Sequence, residues 1–129
     1  MLVLDASVAI TASGSPDGFD VLGDELVAPP LLWSEVRSVL HEAAWRGDVS
    51  GEQAGRSLEA FERSRVRERR HRRLGERAWR IADSLGMAKT YDAEYLALAD
   101  LLGCRLVTLD AKLRRGADRL GFVVGPAEI

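Results

Sequence analysis

The chain of 129 residues has the length of one ordinary domain, and 47% hydrophobic with 29% charged residues is the composition of a globular protein with a real core. Disordered and fibrous classes are thereby excluded, and no apolar run approaches the roughly 18 residues of a membrane-spanning helix. A net charge of −2, from 18 basic and 20 acidic residues, argues on its face against a strongly basic nucleic-acid binder, although the sum hides an uneven distribution.

In chain order, Leu2-Val3-Leu4-Asp5 is a short apolar run ended by an acid and followed by Ala6 and Ser7, the pattern of a buried strand emerging into a loop. It carries no basic n-region, so neither export by that route nor membrane insertion is expected. Asp17, Asp20, Asp24 and Glu25 read most simply as a solvated helix face, with an acidic docking surface as the lesser alternative. Glu25-Leu26-Val27-Ala28, before Pro29-Pro30, is a weaker strand candidate. Over about 31–46, Leu32, Val36, Val39, Leu40 and Ala43 make a helical apolar stripe, and Gly47 supplies the stop. Ser50-Gly51-Glu52-Gln53 has capping-box spacing and opens a helix carrying Ala54, Leu58 and Phe61. Further helices are expected over roughly 74–85, stopped by Gly86, and over 92–102, stopped by Gly103. A strand over 105–110 again ends on an acid, and a last one is bracketed by Gly121 and Gly125. Strands alternating with helices predict one α/β domain over 1–129, with a central, mainly parallel sheet of four to five strands flanked by helices. Ligands of such sheets sit at the carboxyl ends of the strands.

Four acids stand in otherwise apolar surroundings. Asp5 and Asp110 end strands that a parallel sheet places on one edge; Glu35 flanks the apolar stripe of its helix; Asp92 heads a helix whose start lies near that edge. Crowding carboxylates into a partly desolvated pocket is unfavourable unless a cation neutralises them. Oxygen ligands without histidine or cysteine select magnesium or manganese over zinc. Ser7 and Thr108, each two residues from a strand-tip acid, offer hydroxyls for positioning water or phosphate. Each acid alone also has a plain structural role: Asp92 and Asp110 as N-caps, Asp5 as a strand end, Glu35 as a boundary glutamate. The joint pattern is what points to a site.

Leu2-Val3-Leu4-Asp5-Ala6-Ser7-Val8, Trp33-Ser34-Glu35-Val36, Tyr91-Asp92-Ala93-Glu94-Tyr95-Leu96-Ala97-Leu98-Ala99 and Leu106-Val107-Thr108-Leu109-Asp110 resemble, in order and spacing, the signature of PIN-domain ribonucleases. The nearest subgroup by this resemblance is the VapC toxins of bacterial toxin–antitoxin pairs, and the likeness covers essentially the full length. It implies that Asp5, Glu35, Asp92 and Asp110 are an acidic quartet holding Mg2+ or Mn2+, and that Thr108 and Ser7 are the accompanying hydroxyl residues. It further implies endonucleolytic cleavage of RNA, a cognate VapB-like antitoxin that blocks the acidic site, and a homodimer. Two rivals stay open on the residues alone. One is a phosphoryl-transfer domain with a strand-tip aspartate such as Asp5; the absence of a lysine ending a strand and the presence of Glu35 speak against it. The other is a non-catalytic RNA- or antitoxin-binding module whose acids only cap helices.

Positions 63–80 hold nine arginines against Glu68 and Glu76, a local +7 that leaves −9 for the rest. Arginine's planar fork suits phosphate, so Arg69 and Arg70 are candidate RNA contacts; a solvated, partner-balancing face is the alternative. Trp33, Trp45 and Trp79 read as core or subunit-interface residues, with Trp33 and Trp45 also candidates for bordering an antitoxin groove. His41 and His71 read as surface residues. Lys89 and Thr90, just before Asp92, are candidate phosphate contacts, although a loop lysine is more often merely solvated. Cys104, the one cysteine, admits no internal disulfide, fits a reducing cytoplasm and reads as a core residue.

Overall fold

Three wholly buried apolar residues, Leu2–Leu4, form strand β1, and the computed structural model, which describes residues 1–23 and 25–129, builds the fold around it. The other strands are β2 (Leu26–Ala28), β3 (Arg67–Glu68), β4 (Arg105–Val107) and β5 (Val123–Val124). They make one sheet in the order β3-β2-β1-β4-β5, with every neighbouring pair parallel. In register, Val3 lies between Val27 and Leu106, so the sheet's centre is a row of branched apolar side chains buried on both faces, as parallel sheets require.

The helices are α1 (Ala6–Ser13), α2 (Leu31–Trp45), α3 (Gly51–Glu62), α4 (Leu74–Leu85), α5 (Tyr91–Leu102) and α6 (Ala111–Gly116). One group, α1 to α3, packs on itself; α4 packs on α5, which lies against β1 and β4. The chain runs from β1 outward through β2 to β3, then returns past β1 to β4. Because parallel crossovers are right-handed, that reversal puts the two helix groups on opposite faces of the sheet. It also makes the carboxyl ends of β1 and β4 a topological switch point, the crevice where α/β sheets bind ligands.

Sequence patterns locate most elements. Ser50 caps α3 through a full capping box with Gln53, while Gly86 and Gly103 end α4 and α5 in the left-handed conformation. The differences have physical causes. Residues 6–13 are not a loop but helix α1, with Asp5 as its N-cap; Ala-Ser-Val-Ala-Ile-Thr-Ala-Ser is nearly uniformly apolar or small and shows no amphipathic period. Strand β3 lies inside the arginine-rich stretch, exposed on both residues, and is held by its pairing with β2 rather than by any apolar pattern. In α2, Leu32, Val36 and Leu40 are buried at strict four-residue spacing, whereas Val39 is 46% exposed and lies outside the stripe. Asp17 and Asp20 sit in turns, Asp20 in a single 3-10 turn, so they do not form a helix face; Asp24 lies outside the described residues. Strand β4 stops at Val107, which frees residues 108–110 for the site.

Candidate active site

Each of the four acids belongs to a different helix start at the carboxyl edge of the sheet. Asp5 follows β1 and caps α1; Asp110 follows β4 and caps α6, accepting from the amides of Lys112 (2.9 Å) and Leu113 (3.1 Å). Asp92 sits in the first turn of α5, whose N-cap is Thr90, so Asp92 itself does not occupy the capping position. Glu35 lies just over one turn into α2, which begins after β2. The positive ends of helix dipoles at these points favour carboxylates.

Asp5 is the best-held of the four and is 6% exposed. The Ser7 hydroxyl donates to its Oδ1 (2.6 Å), the Val8 amide donates to the same oxygen (3.2 Å), and the Thr108 hydroxyl donates to Oδ2. Both hydroxyls also accept: Ser7 Oγ from the Leu109 amide (3.0 Å) and Thr108 Oγ1 from the Asp110 amide (3.0 Å). Where the sequence suggests hydroxyls for water or phosphate, the structure thus uses them to staple the tip of β1 to the loop after β4 and to orient Asp5. On the other side, the buried Tyr95 hydroxyl of α5 donates to Glu35 Oε1 at 2.6 Å, tying α2 to α5 across the sheet edge.

The electrostatics follow from this crowding. Burial holds the Asp5 carboxyl above its ordinary range despite the three bonds from Ser7, Thr108 and Val8 that pull it down, and the Asp110 charge adds to the rise. Glu35 is also raised, first by burial and then by the charges of Asp92, Asp5 and Glu94, against the lowering effect of Tyr95. Asp92 is raised by partial burial and by Asp110 and Asp5. Glu94, half-buried on α5, is raised by burial. Burial and the bond to Glu35 push the Tyr95 phenol far up, so it remains a donor. The acids therefore share one field although they come from four segments. Among the described residues, none of Asp5, Glu35, Asp92 and Asp110 forms an ion pair with a lysine or arginine, while most other ion pairs join surface helical neighbours. Nor do any three described histidine, cysteine, aspartate or glutamate side chains form a ready-made metal cage. The donor set, all hard oxygen with unneutralised charge, nonetheless fits a magnesium-like cation, which keeps several waters and needs only one or two direct carboxylates.

The arginine-rich stretch is less free than its composition suggests. Arg63, Arg65, Arg70, Arg73, Arg77 and Arg80 are ion-paired, to Glu59, Asp20, Glu68, Glu76, Asp100 and Glu76 respectively. Arg69 is half-buried, its amide bonded to the Ala28 carbonyl at 2.9 Å. Arg69 and Arg70 follow β3, two strands away from β1, which is about 10 Å at ordinary strand spacing. Trp33 packs on Phe61 with ring centroids 5.6 Å apart, whereas Trp45 and Trp79 are 84% and 66% exposed. His41 is exposed; His71 is half-buried, its Nδ1 accepting from the Arg73 amide at 3.1 Å. Cys104 is half-buried beside the core. Sequence reasoning gave no role to Tyr95, although a hydroxyl-bearing aromatic within an otherwise apolar helix was its signal.

A family model described as PIN domain matches residues 2–119, and the chain belongs to the PIN-domain family. Over 116 residues, 88% of this chain and 88% of the relative, it is 36% identical to Ribonuclease VapC9 of Mycobacterium tuberculosis. The same figures relate it to a VapC ribonuclease of Mycobacterium bovis. The crystal structure of PAE2754 from Pyrobaculum aerophilum superposes with a TM-score of 0.76 at 25% identity, covering 98% of this chain and 90% of that one.

Proposed function

We propose that this protein is an endoribonuclease toxin of a type II toxin–antitoxin pair, that 1–129 is one PIN domain, and that Asp5, Glu35, Asp92 and Asp110 hold the Mg2+ or Mn2+ on which cleavage depends. The observation that carries the reading is the convergence of four unpaired carboxylates from four helix starts at the switch point, with three of them held above their ordinary range. That the chain pairs most of its arginines yet leaves these acids without an ion-pair partner among the described residues supports a cation there. The bound ion would supply charge neutralisation at the phosphodiester and a more acidic water.

The chain's own residues do the rest. Ser7, Thr108 and the Val8 amide fix the Asp5 carboxylate, so little reorganisation is left for the reaction. Tyr95 holds Glu35 in one orientation, suited to accepting a proton from an attacking water. Arg69, with the neighbouring Arg67 and Arg72, would guide the RNA backbone toward the acids, while Ser7 and Thr108 hold Asp5 in place. The relatives named as VapC ribonucleases support the substrate class and a VapB-like antitoxin as inhibitory partner. A homodimer in the cytoplasm completes the proposal; no helix among the described residues is long and apolar enough to cross a membrane.

The test is cleavage of single-stranded RNA by the protein freed of any partner, in magnesium, in manganese and in excess chelator. Cleavage is expected with either metal, to be lost in chelator, and to fall by at least about a hundredfold in Asp5→Asn, the scale seen when a catalytic electrostatic group is removed. Chelator-insensitive cleavage that survives Asp5→Asn would overturn it.

A further inference from the structure

The chain holds sixteen arginines and only two lysines, and both lysines line the same cavity. That cavity, of about 630 Å³, lies between the end of α4, the start of α5 and α6, and Asp92 and Asp110 line it as well. Lys89 and Lys112 are exposed, and among the described residues neither is ion-paired. Its other wall is apolar: Leu85 and Met87 on one side, Leu113 and Ala117 on the other. Its volume is that of a small-molecule site, large enough for a nucleotide.

We propose that this cavity is a nucleotide subsite for the residue next to the scissile bond, with Lys89 and Lys112 binding its phosphate and the Met87–Leu113 side receiving its base. The proposal rests on the ribonuclease reading above and adds to it where the substrate lies. A compact ammonium suits a phosphate as a point charge on a flexible stem, whereas an arginine fork here would compete for the adjoining carboxylates bidentately. A flat base against methionine and leucine is held by its faces, which tolerates different sequences. Positive charge beside Asp92 and Asp110 also lets a polyanion approach an acidic site that would otherwise repel it.

Two lysines make the test direct. The protein is treated with acetic anhydride with and without a single-stranded RNA oligonucleotide, whose binding is followed by fluorescence anisotropy, and each site is read by mass spectrometry against the N-terminal amine. Acetylation of Lys89 and Lys112 is expected to slow several-fold when RNA is bound. In Lys89→Ala/Lys112→Ala the slope of log affinity against log salt is expected to flatten by about 0.7, the value for one lost single-strand phosphate contact. RNA bound and cleaved with unchanged lysine acetylation and salt slope overturns the subsite alone; failure to bind or cleave any RNA removes the ribonuclease reading with it. Protection by polyglutamate but not by RNA would assign the cavity to an acidic protein segment and also overturn the proposal.

Discussion

At Asp5 three hydrogen bonds compete with burial, and burial prevails; at Glu35 the single bond from Tyr95 opposes burial and three neighbouring charges. Such carboxyls bind their protons more tightly folded than unfolded. Between the ordinary carboxylate range and the raised values the folded chain carries more protons, so these groups lower stability as pH rises through that window. Asp92→Asn is therefore expected to raise the melting temperature at neutral pH, with the gain vanishing as pH falls below about 3.8, where an unfolded aspartate titrates. Calorimetry at the two pH values checks this, and equal gains at both would contradict it. Tyr95→Phe removes the bond that lowers Glu35, so the acidic limb of the pH–rate profile is expected to move to higher pH, with kcat falling several-fold and KM holding. An unshifted limb would reduce Tyr95 to a packing role. The identities of the four acids were legible in the sequence because charge inside apolar runs is conspicuous; Tyr95's partnership was not, since Glu35 lies sixty positions away.

Among the elements, those with local signals matched expectation. The Ser50 capping box is contained in four residues, and it forms as its spacing predicts. Ser50→Ala is expected to cost about 1 kcal/mol in urea denaturation while leaving RNA cleavage unchanged, because α3 contributes none of the four acids. A loss of cleavage at unchanged stability would mean that α3 acts on the site. Elements whose cause is non-local escaped: α1 shows no period because it is enclosed by neighbours, and β3 exists only because β2 offers it an edge.

For the whole molecule, the arrangement of charge matters more than its sum. The run at 63–80 is spread over the end of α3, β3 and α4, and six of its nine arginines are spent on internal pairs. The remaining Arg67, Arg69 and Arg72 form no ion pair among the described residues and, on the proposed reading, are the ones left for RNA. Glutamate substitution at these three is expected to weaken single-stranded RNA binding at least tenfold at low salt. The same change at Arg73 and Arg80, which share Glu76, is expected to have a much smaller effect. Equal losses from both sets in an anisotropy titration would mean that only net charge counts.

The sequence by itself determined the α/β class, the parallel sheet, the helix stops and the candidate acids, because apolar runs, caps and glycines act within a few residues of themselves. Tertiary structure alone decided that Thr108 serves Asp5, that Tyr95 serves Glu35, and that the two lysines, twenty-three positions apart, share one cavity. Those relations depend on strand order and on which helix start meets which strand tip. A residue's partner there is set by distance across the sheet edge, and chain separation carries no trace of it.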